Sequence, residues 1–337
     1  VTDGVRTPST TWTEEIATDE QARHDEFTKT LLSISSRVDA KRGPGRALHR
    51  KAVLGARATI QVHADLPEPA THGLFAEVGT YDALVRLSNG SFTSQNDAVP
   101  DVRGFALSVR GIEGPAALGG RTNRQDFLLI NRESFGFRTS EEFAEIVPLA
   151  AQGQTALLKH FVAKYGALKG PLEAAKLSKD FLKPFSGFAT ATFYSAAPIK
   201  IGPYAAKVRL KSRQDTRHLA AQLDFSNEVR SRVKDNDLVY DLALQFYVDD
   251  EHTPIENGAA VWPTDVSPFV TVARVTLPAQ DVESRAGLSL AEEIEADAFD
   301  PWAALEDHRP LGEIMRARKV AYYASVQQRR AAADTTE

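Results

Sequence analysis

Read as a string of apolar and polar positions, the chain has two blocks of strand-like alternation, with stretches of helical period before, between and after them. Over residues 19–41, Phe27, Leu31, Ile34 and Val38 fall on one face of a helix, which Gly43-Pro44-Gly45 ends. Four strands are predicted next, over 58–64, 84–88, 100–109 and 127–131. Leu66-Pro67-Glu68-Pro69 stops the first and Asn89-Gly90 the second. Thr139-Ser140-Glu141-Glu142 opens a helical stretch, with acids in its first turn and breaks at Gly153, from Gly166 to Pro171 and at Pro184. Strands return at 190–194, 205–210, 237–248 and 268–277. In the third of these, Leu238, Tyr240, Leu242, Leu244, Phe246 and Val248 share one face. A closing helix is predicted over 310–332, because proline is tolerated at the first helical position.

Strands in two blocks with helices between and after them imply an α+β fold whose antiparallel sheet closes into a β-barrel. Residues 1–18, rich in Thr, Asp and Glu, are expected to be a mobile N-terminal tail. No repeat period and no Pro/Gly/Ser linker divides the remainder, so residues 19–337 are expected to form a single domain.

The closing helix carries the least ordinary pattern. Leu311, Met315, Arg318, Tyr322, Ser325 and Arg329 follow one another at steps of four and three, which is one stripe. The stripe begins apolar and then holds two cations, which need an anionic partner if they face a core. Arg318 and Tyr322 are four residues apart and can touch, an arrangement suited to a tyrosinate metal ligand held anionic by a guanidinium. Tyr323 is the rival ligand, but it points off the stripe. On its own, the stripe also fits a packing tyrosine with arginines at a wet rim.

Composition narrows the chemistry. The formal net charge of −5 argues against a general nucleic-acid binder. The chain has no cysteine, which removes disulfides, thiolate-held metals and haem, iron–sulfur clusters and thiol peroxidase chemistry. No apolar run is long enough to span a membrane. Val1-Thr2-Asp3-Gly4-Val5 lacks a basic-then-apolar signal pattern, so the cytoplasm is the expected compartment. His-Glu-x-x-His, the P-loop, Gly-x-Ser-x-Gly and a complete dinucleotide fingerprint are all missing. Three clusters remain: Arg46 with His49 just before a strand, Arg86 and Ser88 with Arg103 in or beside buried strands, and the C-terminal stripe. Strand arginines call for an anion, whether haem propionates, a substrate carboxylate or internal Asp and Glu side chains.

Taken together, these segments resemble the haem catalases. Arg46-Ala47-Leu48-His49-Arg50-Lys51 is similar to the family's Arg-Val-Val-His-Ala-Lys, and Val85-Arg86-Leu87-Ser88 to its Val-Arg-Phe-Ser. Asp101-Val102-Arg103-Gly104-Phe105-Ala106 resembles Asp-Pro-Arg-Gly-Phe-Ala, and Phe127-Leu128-Leu129-Ile130-Asn131-Arg132 lies where the family has Phe-Phe-Ile-Arg-Asp. Arg318-Lys319-Val320-Ala321-Tyr322 resembles Arg-Leu-Phe-Ala-Tyr, whose tyrosine is the proximal haem ligand. The order agrees from about Gly43 to Arg329. The chain lacks the family's long wrapping arms, so the resemblance is to the small catalase-related haem peroxidases.

The resemblance implies a catalase-like core holding haem b. Tyr322 would be the iron ligand and Arg318 its partner. His49 would be the distal acid/base, oriented by Ser88. Arg46, Arg86 and Arg329 would meet the propionates, with Leu48 and Phe135 against the haem. The family's peroxide-binding asparagine lies in Gly-Asn-Asn-Thr-Pro. Here Gly120-Arg121-Thr122-Asn123-Arg124-Gln125 occupies that stretch, leaving Asn123 or Gln125 as the distal amide. The implied activity is reduction of hydrogen peroxide or organic hydroperoxides through a ferryl intermediate, with an organic reductant as partner. Two alternatives stand beside it: a hydroperoxide-rearranging enzyme like the catalase-related allene oxide synthases, and a non-haem barrel whose arginines clamp an acidic apolar ligand. Association of copies is left open.

Overall fold

In the computed structural model, residues 4–152, 154–181, 183–214 and 224–334 are described, with side chains left out at 150–152, 154, 176–181 and 329–334. Eight strands close on themselves. β1 (Lys51–Val62), β2 (Thr80–Asn89), β3 (Arg103–Pro115), β4 (Arg121–Ile130) and β5 (Thr192–Tyr194) pair in sequence. β5 then pairs with β7 (Tyr204–Ser212), β7 with β8 (Leu238–Phe246), β8 with β9 (Phe269–Leu277), and β9 returns to β1. β6 (Ile199–Ile201) is a short edge strand on β7. Every pairing is antiparallel. The fold is therefore α+β around an antiparallel barrel, as the alternation predicts.

Alternation also fills the barrel. Inward positions such as Ile60, Val85, Leu87, Phe105, Leu107, Leu129, Val208, Leu210, Tyr240, Leu242 and Val275 form one continuous buried core. Closure leaves the eight-strand sheet without a long free edge. The outward face of β1 and β2 is covered by α5 (Arg285–Ala296), whose Leu290 and Ile294 pack with Phe299 on Leu84, Ala106 and Leu128. Gly55 permits that approach, because a Cβ there would lie 3.0 Å from the backbone of Ala291.

Beside the barrel stands a helical layer. α1 (Glu20–Arg42) buries the predicted Phe27, Leu31 and Ile34 against Ala317 and Ala321 of α6 (Glu313–Asp334). α2 (Ser140–Gln152) joins them, and Ser140, His24 and Glu313 hydrogen-bond at the meeting point of the three helices. α3 (Gln154–Phe181) packs on α2, and α4 (Phe225–Asp235) lies on β1.

Residues 4–18, expected as a loose tail, have no regular secondary structure but are tied down. Arg6 pairs with Asp249, Ser9 N donates to Tyr247 O, and Trp12 Nε1 donates to Pro203 O. Glu14 accepts from Gly312 N at 3.0 Å and Arg316 Nη1 at 2.7 Å, and Glu256 accepts from Glu313 N at 2.7 Å. Carboxylates thus meet the open N–H groups at the start of α6, where the helix dipole favours them. α6 is clamped at the end that leads into Arg318 and Tyr322.

Candidate active site

His49 sits at the turn into β1 with φ of 55°, a left-handed conformation uncommon for a residue with a side chain. Its backbone is held on both sides: N–H donates to Gly90 O at 3.0 Å, and the carbonyl accepts from Arg86 Nη2 at 2.9 Å. Its ring is held as well. Nδ1 lies 3.0 Å from Ser88 Oγ, while Nε2 makes no hydrogen bond among the described residues. Gly104, paired with Ser88 across β2 and β3, lies against the ring. A Cβ at Gly104 would stand 2.6 Å from His49 Nδ1 and 2.7 Å from Ser88 Oγ, so the imidazole seat exists only because residue 104 has no side chain.

The electrostatics of this seat are strongly one-sided. Burial pushes the His49 imidazole down to about 3, and the cationic Arg86, Arg318 and Arg46 push in the same direction. The ring is therefore neutral at any ordinary pH. The charge on Arg318 reaches His49 from α6, and Arg86 in turn feels Tyr322. Two residues in the first third of the chain and two near its end thus share one electrostatic neighbourhood. Packing explains why: Leu48, beside His49, lies in the same apolar cluster as Ala317 and Ala321, which flank Arg318 and Tyr322 on the helix.

On α6, Arg318 Nη2 donates to Tyr322 Oη at 2.9 Å, so the contact expected from the i, i+4 spacing is made. The same guanidinium lies 5.5 Å from the centroid of the Phe135 ring and 5.1 Å from that of Tyr322. Phe135 is thus beside the Arg318 side of the site. Tyr323 points into solvent. The backbone of Arg329 lies on α6, and its side chain is outside the described residues.

Arg46 and Arg86 converge, but on a residue the sequence reading had not singled out. Glu295 accepts from Arg46 Nε at 3.1 Å, from Arg86 Nε at 2.7 Å and from Arg86 Nη2 at 3.3 Å. Arg46 Nη2 also donates to the carbonyls of Glu295 and Asp297 at 3.0 and 2.7 Å, capping the C-terminal end of α5. Three guanidinium groups therefore surround His49, and one carboxylate pairs with two of them. Internal Asp and Glu side chains are among the anions that satisfy such arginines. Glu295 itself was hidden in a run of acids, from 292 to 300, that reads as a solvated surface.

Neither predicted distal amide reaches this cluster. Asn123 is exposed on β4, opposite the register shift between Arg110 and Gly114, and seven residues before Ile130. At about 3.3 Å per residue that is roughly 23 Å from the level of Gly104, Ile130's partner. Gln125 is buried elsewhere, with Oε1 accepting from Leu305 N and Nε2 donating to Asp126 O. The amide at the end of β4 is that of Asn131. It follows Ile130 directly, and its Oδ1 accepts from Arg103 N at 2.7 Å, one step along the strand from Gly104 and on the alternate face. Its sequence signal is its place as the first polar residue after the apolar run of β4.

No family model matches this chain, and no curated protein matches it. Solved structures do. A bacterial catalase aligns with a TM-score of 0.64 at 15% identity, over 97% of this chain and 63% of that one. A fungal catalase aligns at 0.59 and 17%, over 89% and 62%. Catalase A from Saccharomyces cerevisiae aligns at 0.59 and 15%, over 96% and 67%. The chain has a catalase-like fold and spans roughly two thirds of the length of these proteins.

Proposed function

We propose that the chain is a haem-dependent oxidoreductase that consumes peroxides, with Tyr322 as the iron ligand and His49 as the proton carrier. The observation that carries this reading is the presence of two prepared groups in one electrostatic neighbourhood. A phenol oxygen receives a guanidinium hydrogen bond, and a neutral imidazole has one nitrogen held and the other free. The donor set fits the cofactor: a phenolate is an anionic oxygen ligand for ferric iron, and the excess of guanidinium over carboxylate around Arg46 and Arg86 suits a group carrying two carboxylates. The catalase-like fold supports the same assignment.

Haem bound there would supply the electrons that split the O–O bond of a peroxide. The chain's own residues would do the rest. Arg318 donates a hydrogen bond to the Tyr322 oxygen and holds it in place. His49 Nε2 takes the proton from one peroxide oxygen and returns it to the other as that oxygen departs. Ser88 Oγ would accept a hydrogen bond from Nδ1–H, the tautomer that leaves Nε2 bare. Burial is the larger cause of the depressed imidazole; an anion seated on Arg46 and Arg86 would offset part of the smaller, cationic one.

Glu295's hold on both arginines favours one other reading, a barrel without iron in which those arginines are structural. Titration of the purified protein with hemin separates the two. The haem reading expects a saturable Soret band at one equivalent and peroxide-dependent oxidation of an organic electron donor. A spectrum equal to that of hemin in buffer would favour the iron-free barrel.

A further inference from the structure

The exposed apolar side chains of this protein are not evenly spread. Twelve large ones are exposed among the described residues, and four of them, Leu158, Tyr165, Leu168 and Leu172, fall within fifteen residues of α3. Single exposed apolar residues need no explanation, whereas a contiguous group marks an interaction site. Leu168 is 90% exposed and Leu172, one turn on along the same face, 63%.

The backbone explains why this group protrudes. α3 is broken at Gly166, where φ is 82° and ψ is 167°. A Cβ on Gly170 would lie 2.5 Å from Val162 Cα and 2.6 Å from Phe161 O. Residues eight apart in an unbroken helix are about 12 Å apart along the axis, so the chain reverses at Gly166 and its two arms cross closely at Gly170. The result is a helical hairpin. Its inner side packs Leu157, Phe161 and Ala174 on Phe137, Phe143, Ile146 and Val147, and residues 163–169 form an exposed tip.

Charge identifies what the tip fits. In a chain of net charge −5, residues 155–173 contain Lys159, Lys164 and Lys169 against a single acid, Glu173, which has a partner of its own. Lys164 is paired with Glu145 at 2.5 Å, while Lys159 and Lys169 are exposed and have no carboxylate partner among the described residues. Tyr165 and Leu168 at the tip, Leu158 and Leu172 on the arms, and the lysines beside them complement an interface that is apolar beneath and negative above. We infer that the α3 hairpin docks the protein on an anionic lipid surface, with Leu168 and Leu172 entering the acyl boundary and Lys159 and Lys169 meeting the headgroups. No helix of the described residues is long and apolar enough to cross a membrane, so the contact is peripheral. The inference does not depend on haem. The hairpin base rests on Phe137, two residues beyond Phe135 of the candidate site, so a docked tip brings that side of the site toward the lipid.

The test is flotation of the full chain with vesicles of phosphatidylcholine alone and of phosphatidylcholine mixed with phosphatidylglycerol. The expected result is flotation with the mixed vesicles, loss of binding as salt is raised, and little flotation with the neutral ones. The pair Leu168→Asp and Leu172→Asp, made together at exposed positions, should weaken binding at least on the order of tenfold. Leu288→Asp, an exposed leucine on α5, should leave it unchanged. Thermal unfolding monitors the fold of each variant. The inference is overturned if the wild type does not float with anionic vesicles, if the double variant floats equally well, or if neutral vesicles bind as strongly. It is also overturned if the double variant abolishes self-association in solution while the wild type ignores lipid; the tip would then be a contact between copies.

Discussion

Glu295→Gln is the substitution that most directly probes how the site manages its positive charge. Glu295 accepts three hydrogen bonds from Arg46 and Arg86. Glutamine keeps the size and one acceptor but removes the charge that offsets both guanidinium groups. Arg86 has only 4% of its side chain exposed, which argues for the penalty of about 3–5 kcal/mol seen when a buried pair is broken. Glu295 is 40% exposed, which argues for the value near zero to about 1 kcal/mol of a surface pair. Between these limits, about 2 kcal/mol of stability should be lost. For a chain of this size that is a drop in Tm of roughly 3 °C. Affinity for a dicarboxylate ligand should move the other way, because Glu295 competes for the same two cations. Hemin should bind on the order of tenfold more tightly, about 1.4 kcal/mol. Thermal unfolding of the hemin-free protein and a hemin titration, run side by side, give the two signs. A variant that loses both stability and hemin affinity would refute the competition, and one unchanged in both would mean that the pairs are too well solvated to matter.

Other consequences follow from the same geometry. Gly104→Ala places a methyl group 2.6 Å from His49 Nδ1, so the imidazole must leave its seat. Peroxide-dependent turnover of the hemin-loaded protein should fall by about 10²-fold, and stability by about 1–3 kcal/mol, measured by initial rates and denaturant titration. Burial depresses both His49, to about 3, and His308, to about 4, so the unfolded chain takes up two protons near pH 6.5 that the native protein refuses. Stability therefore falls as pH drops below 6.5, by up to about 1.4 kcal/mol per pH unit for each ring. Replacing His308 by Gln should flatten the slope between pH 6.5 and 5 by that amount.

The barrel was legible because strand alternation and burial report the same fact: an inward residue of a closed sheet must be apolar. Leu238 to Phe246 shows this most plainly. The helix faces of α1 and α6 were legible for the same reason at the other period. α4 and α5 escaped notice because each buries only two or three side chains and is otherwise charged, so the apolar stripe is too thin to stand out. Within the site, His49 with Ser88 and Arg318 with Tyr322 are close in space for reasons written locally, in a strand start, a β pairing and an i, i+4 step. Glu295 is placed by tertiary packing: α5 lies across β1 and β2. No spacing along the chain encodes it. Expecting the distal amide at Asn123 or Gln125 rested on motif order alone, and the β3–β4 register sets those residues too far along the strand.

The measurement that bears most directly on the account is the hemin titration of Tyr322→Phe beside Tyr323→Phe, read by absorption. The two tyrosines are neighbours in sequence, but one accepts a hydrogen bond from Arg318 within the site and the other faces solvent. Tyr322→Phe should lose the wild-type Soret band and bind hemin at least on the order of a hundredfold more weakly, while Tyr323→Phe should reproduce the wild type. A Tyr322→Phe protein with the wild-type spectrum and affinity would contradict the assignment of the iron ligand, and with it the mechanism built on that helix.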